Sequence, residues 1–247
     1  GGWPENVLRK PEKANKLAKD YLKTILGGDV NSEDITSHNP AKMRVLLRSL
    51  ARNISTPANM NTILEDTRDD RESTISDVTV ATYLATLEQI HIMDDIEAWC
   101  PELRSKTQIR TSKKRNFVDP SLVIAALRAS EKDLLSDFNT FGLIYESLAL
   151  RDLQIYAQSL DGDLFYYRDK SGLECDAIVH LSDGKWGAIE IKLGADEETL
   201  NKAANGLLKF KEVIDTAEMK EPSFLMILSG ISTYAYRRKD GVFVVPI

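Results

Sequence analysis

Two apolar periods divide the chain. From residue 11 to about 153 the apolar positions recur every three or four residues, and from about 155 onward they alternate in short runs. Leu17, Tyr21, Leu22 and Ile25 form one helical face over 11–27, which Gly27 and Gly28 end. Met43, Leu46, Leu47, Leu50 and Ile54 mark a second helix over about 40–55, with Pro40 in its first turn. A short helix over 57–66 begins at Pro57, and an acidic loop follows over Glu65 to Glu72. Ser76 then offers an N-cap for a helix over 77–89, whose Val80, Tyr83, Leu84 and Leu87 face inward and whose Thr79, Thr82 and Thr86 face out.

IHIMDDI then alternates like a strand, and KTQIRTSKKRNFV supplies an antiparallel return. Helices followed by such a hairpin give the order of a winged helix-turn-helix. A helix follows Pro120, and another spans about 134–153. Strands are predicted at IYAQS, DLFYYRD, LECDAIVHL and KWGAIEIKL, then a helix over 196–215. SFLMILSG and a closing hairpin turning at Asp240 and Gly241 complete the pattern. The composition shifts near 125–138, which sets two expected domains, 1–125 and 126–247. The class is α+β or α/β.

Composition narrows the possibilities without choosing one. The chain has 247 residues, 43% hydrophobic and 28% charged, with a net charge of −6. Those proportions support real cores and exclude a global basic field that would draw the protein onto nucleic acid or membrane. Cys100 and Cys175 lie far apart without metal-type spacing, so a reducing cytoplasm is the expected setting. No apolar run reaches the roughly 18 residues of a membrane span. The opening GGWPEN, without a methionine, reads as a piece of something longer.

The candidate chemistry lies in LECDAIVHLSDGKWGAIEIKL, residues 173–193. Side chains alternate across a strand, so Glu190 and Lys192 share one face, as do Glu174 and Asp176. A two-residue turn at Asp183 and Gly184 would put Asp176 and Glu190 on opposite faces. A three-residue loop, Ser182, Asp183 and Gly184, pairs Leu181 with Lys185 and sets Asp176 across from Glu190. Two close carboxylates repel unless a cation sits between them, and hard oxygen donors suit Mg²⁺ or Mn²⁺. Lys192 beside them could stabilise an attacking hydroxide or charge developing on a phosphate. The plainer alternative is that Glu190 and Lys192 are the exposed face of an amphipathic strand. Glu146, among Leu143, Ile144, Tyr145 and Leu148, is either on the wet side of its helix or a ligand.

Asp176, thirteen residues, Glu190, one residue and Lys192, after a helix bearing Glu146, resembles the PD-(D/E)XK nuclease superfamily, with its αβββαβ order. A wider resemblance rests on GGWPE, VATYLATLEQIHIMDDIEAW, KKRNFVDPSLVIAAL, FGLIYESLAL, FYYRDKSGLECDAIV, AIEIKLG and YRRKDGVFVVPI. In these the chain resembles the domain of unknown function that follows an AAA-type ATPase module in many bacterial and archaeal proteins. That resemblance implies a winged-helix part, a restriction-endonuclease-like part and an ATPase ahead of residue 1. No GxxxxGK[ST] phosphate loop occurs in the chain itself. It implies Asp176, Glu190 and Glu146 as metal ligands for Mg²⁺ or Mn²⁺, with Lys192 as the fourth catalytic group. Tyr167, where tryptophan is common, and Cys175, where an aliphatic is usual, depart from the pattern.

Arg104, Lys106, Arg110, Lys113, Lys114 and Arg115 follow one another without an intervening acidic residue, a local basic stretch on an acidic chain. They are expected to contact DNA, with Arg168 a further phosphate contact and the threonines of 77–89 within reach of bases or phosphates. The alternative is a solvated hairpin. Three functions follow: a metal-dependent nuclease, a non-catalytic DNA- or protein-binding module serving the ATPase, or an adaptor that docks through its winged helix.

Overall fold

The computed structural model describes residues 2–6, 11–27, 39–68, 75–100, 112–214 and 219–247; the side chains of 11–14 are not described. Among these residues the fold is mixed α and β, with eight α-helices and a seven-stranded mixed sheet. The chain divides into two compact units, Gly1–Asp95 with Lys114–Ser147, and Ile96–Lys113 with Leu148–Ile247. The division therefore differs from a single cut after residue 125. The segment 96–113 goes with the second unit, and the later crossing falls between Ser147 and Leu148.

The first unit is helical: α1 (Pro11–Gly27), α2 (Pro40–Arg52), α3 (Met60–Arg68), α4 (Asp77–Gln89), α5 (Pro120–Leu127), α6 (Glu131–Ser136) and the start of α7 (Phe138–Ser159). Pro40 occupies the first turn of α2, where its missing N–H costs nothing, and the Asn39 side chain accepts the N–H groups of Ala41 and Lys42. Ser76 caps α4 by accepting the Thr79 N–H. Leu46, Leu50, Ile63, Val80, Leu87 and Phe117 meet in the core.

Three expectations fail in this unit. IHIMDDI is not a continuous strand; its pairing reduces to isolated bridge positions at Met93, which pairs with Phe117, and at Ile96, with the Asp94 N–H on the Asn116 carbonyl and the Val118 N–H on the Ile92 carbonyl. The first part of the return strand, 106–111, lies outside the described residues. Helix α3 runs on to Arg68, through the start of the expected acidic loop. Thr86 is buried, its hydroxyl donating to the Thr82 carbonyl, so only part of the threonine row faces out.

The second unit is built on the sheet, in the order β1 (Glu97–Ala98), β2 (Gly162–Arg168), β3 (Glu174–Leu181), β4 (Trp186–Lys192), β5 (Phe224–Ser229), β7 (Phe243–Pro246), β6 (Tyr236–Arg237). Helix α8 (Glu197–Val213) lies across β3, β4 and β5. Leu200, Ala204, Leu207 and Phe210 on it meet Ile178, Trp186, Ala188 and Ile227 beneath. From α7 the order is helix, three strands, helix, strand. IYAQS, expected as a strand, is instead the last turns of α7, with Ala157 buried and Ile155 and Tyr156 exposed. A helix face and a short alternating strand are indistinguishable over five residues.

Candidate functional site

The hairpin β3–β4 carries the candidate chemistry. The Leu181 N–H donates to the Lys185 carbonyl at 2.8 Å and closes a loop of Ser182, Asp183 and Gly184. Gly184 holds φ at +79°, a left-handed conformation that only glycine adopts without cost, and its N–H returns to the Leu181 carbonyl. The Asp183 carboxylate accepts the Lys185 N–H at 2.9 Å and pins the turn. This is the three-residue alternative, and it fixes the register at His180 with Trp186 and Ala177 with Ile189. One step further along, Asp176 comes opposite Glu190.

Both carboxylates close on one ammonium. Lys192 Nζ donates to Asp176 Oδ2 at 3.0 Å and to Glu190 Oε2 at 2.7 Å. Asp176 Oδ2 also accepts the backbone N–H of Ile191 at 2.8 Å, which ties it to the neighbouring strand. The β2–β3 register shifts here: Phe165 pairs with Ile178 but Tyr167 with Cys175, so Asp176 and Ala177 together face Tyr166. Such a bulge re-aims side chains and is common beside active sites. Nothing in the sequence signals it.

Burial makes this cluster electrostatically tense. β4 is hydrogen-bonded on both sides, and Glu190 is buried there at 8% exposure. Burial first, and the Asp176 charge second, raise its carboxyl to about 8 against the opposing pull of Lys192. For Lys192 burial acts against the charge, but Asp176 and Glu190 outweigh it and hold the ammonium above its ordinary value. The Cys175 thiol is pushed well up by burial and then by Glu190 and Asp176, which keeps it protonated and unreactive.

Whether this donor set fits a divalent cation follows from its chemistry. Two hard carboxylates from adjacent strands already share one positive charge. Mg²⁺ is commonly held by one or two carboxylates, with waters and substrate phosphate completing the shell. The set fits that pattern. Among the described residues no group of three or more His, Cys, Asp or Glu is gathered to hold a metal.

Several other candidate residues have ionic partners of their own. Glu146 belongs to the first unit, where its Oε1 takes Lys114 Nζ at 2.6 Å with both side chains nearly buried. Arg115 is also internal, paired with Asp95 and donating from Nε to the Ala58 carbonyl at 3.1 Å. Burial raises the Asp95 carboxyl, partly offset by Arg115 and by the Asn116 N–H. Lys114 and Arg115 are thus structural ion partners and not part of a surface patch. Lys113 remains half-exposed, 3.6 Å from Glu97, and Arg168 pairs with Glu174 at 2.9 Å on the surface. Arg104, Lys106 and Arg110 lie outside the described residues. No helix among the described residues is long and apolar enough to cross a membrane.

Two family models match parts of the chain. The family described as Domain of unknown function (DUF8612) matches residues 1–133, and Domain of unknown function (DUF4143) matches residues 141–247. No curated protein matches the chain. Among solved structures, a chain of a refined half-complex from the tetradecameric assembly of Thermococcus gammatolerans McrB AAA+ hexamers with bound McrC is similar at 11% identity and a TM-score of 0.30. That match covers 84% of this chain and 70% of that one.

Proposed function

The chain belongs to the family described as Domain of unknown function (DUF8612), and from that premise we propose that its second unit is a metal-dependent nucleic-acid phosphodiesterase of the PD-(D/E)XK kind. The observation that carries this reading is the convergence of Asp176 and Glu190 on a single cation. A divalent ion bound by those two carboxylates would polarise the scissile phosphoryl group. Asp176 is braced for such a role by the Ile191 N–H. Lys192, which burial does not discharge, keeps a fixed positive charge where an anionic transition state would form. Glu146 is proposed as a further ligand once its pair with Lys114 opens. The first unit is read as a winged helix-turn-helix with a reduced wing, and Lys113 and Arg168 as DNA contacts, together with Lys106 and Arg110 of the same basic run in the sequence. By the resemblance of its motifs, the chain serves an AAA-type ATPase module in cis.

A second reading is favoured by the same ammonium: Lys192 already pairs with both carboxylates, as it would in a non-catalytic DNA- or protein-binding module. The separating experiment is cleavage of plasmid, single-stranded DNA and RNA by purified chain with Mg²⁺ or Mn²⁺. Asp176→Ala should abolish cutting and weaken metal binding. Lys192→Ala should leave metal binding largely intact and slow cutting by about 10²-fold or more. Wild-type protein that cuts none of these substrates, alone or joined to its ATPase, would end the nuclease reading and leave the binding module.

A further inference from the structure

The free edge of the sheet combines rings and cations in a way that the carboxylate cluster does not explain. β6 is the terminal strand, and around it Tyr234 is 67% exposed, Tyr236 36% and Phe243 37%. Tyr234 and Tyr236 stand as a tilted pair, 5.6 Å between centroids. Arg237 lies over the Phe243 ring at 5.4 Å. Arg238 is held by Asp240 at 3.0 Å and by Asn201 at 2.7 Å, and Lys239 follows at the turn. Edge strands are ordinarily protected by short length, charge, proline, bulges or a covering element. Large rings left in water beside three cations, on a chain of net charge −6, form a local feature of different character.

Register ties this edge to the carboxylates. Glu190 pairs with Ile227, Ile227 with Val244, and Val244 with Tyr236. Residues paired in this way share a sheet face. Tyr236 therefore stands in the same cross-strand row as Glu190, three strand spacings or about 14 Å away. The next row runs from Lys192 through Ser229 to Pro246 and leads toward Tyr234.

We infer that the Tyr234–Tyr236 edge is a stacking platform for single-stranded nucleic acid, which holds bases a few nucleotides from a phosphodiester at Asp176 and Glu190. This names the substrate class of the proposed phosphodiesterase and rests on that reading for its catalytic end. Stacking asks only for an exposed ring, because every base has a π-face, and phosphates need nearby cations. Both are present here. A duplex hides its base faces and gains little from these rings.

The test is fluorescence anisotropy with a labelled oligothymidylate in the presence of chelator, so that binding is read without cutting. Tyr234→Ala with Tyr236→Ala should weaken binding by about 5- to 150-fold for each ring lost. Tyr234→Phe with Tyr236→Phe should stay within about twofold of wild type, because the π-face remains. Lys239→Ala should lower the log–log salt slope by about 0.7, whereas ring removal leaves it unchanged. Alanine variants that bind as tightly as wild type would overturn the inference. So would wild-type protein that does not bind at about 10⁻⁴ M, or a hairpin that instead mediates self-association abolished by the same alanines. Ring-dependent binding without Mn²⁺-dependent cutting would sink only the nuclease reading. Cutting of single strands that ignores the rings would sink only the platform.

Discussion

Replacing Lys192 with methionine keeps the side-chain stem and removes the charge that joins Asp176 to Glu190. At an effective dielectric of about 20, each contact of 2.7 to 3.0 Å carries about 5–6 kcal/mol of gross attraction before desolvation is counted. Breaking a buried pair costs about 3–5 kcal/mol net. The Lys192 side chain is 32% exposed, so solvent screening sets the expectation at the low end, about 3 kcal/mol. For a chain of this size that is a fall of about 6–12 °C in Tm at pH 8. The pH dependence has a definite sign. A carboxyl raised by folding contributes its full stability below the unfolded value near 4.5 and loses it as pH climbs toward the folded value, about 8 for Glu190 in wild type. Without Lys192 the folded value rises further, so the two proteins should lose stability in parallel up to about pH 8 and separate above it. Millimolar Mn²⁺ should then restore Lys192→Met at pH 8, because a divalent ion can replace the missing charge. Asp176→Asn in the same background should cancel the rescue. Thermal melts across pH, with and without Mn²⁺, read all three effects. A variant whose deficit does not grow between about pH 7 and pH 9.5 would refute the electrostatic account, and a deficit that Mn²⁺ leaves untouched would refute the cation site.

In the first unit, Lys114→Met strands the Glu146 carboxylate and should cost about 3–5 kcal/mol in urea unfolding. Lys114→Met with Glu146→Gln should recover most of that loss, and a double variant no better than the single would mean the pair is not the cause. Gly184→Ala places a side chain at φ +79° and should cost about 1–2 kcal/mol of hairpin stability without altering the Asp176–Glu190 register. Wild-type stability in that variant would show that the loop adopts another conformation in solution.

The hairpin was legible because its loop is local. Once Gly184 takes the left-handed position of a three-residue loop, the parity of β3 and β4 follows, and with it the meeting of Asp176 with Glu190. Other features depend on distant partners and left no mark in the sequence. The run Lys113, Lys114, Arg115 reads as one basic patch. Yet Lys114 and Arg115 turn inward, because Glu146 and Asp95 wait about 20 to 30 residues away in the chain. The alternation in IHIMDDI suggested a full strand, but backbone pairing there is confined to isolated bridge positions at Met93 and Ile96 and two hydrogen bonds. From the next residue, Glu97, the chain pairs with β2 as an edge strand, which a local pattern cannot announce.

The position of the carboxylates in the sheet bears on what they are for. β4 is a central strand whose residues from Trp186 to Ile191 are all buried, so apolar side chains at 190 and 192 would satisfy its packing. A buried ion cluster is weak evidence of stabilisation, since well-packed apolar replacements are often neutral or better. Burial of Glu190 is costly enough to raise its carboxyl to about 8 even with an ammonium at 2.7 Å. Stability alone therefore gives no reason for Asp176, Glu190 and Lys192 to meet beside a β-bulge. A requirement to present paired oxygens and a fixed positive charge at one end of the sheet does, and the phosphodiester site proposed above has that requirement.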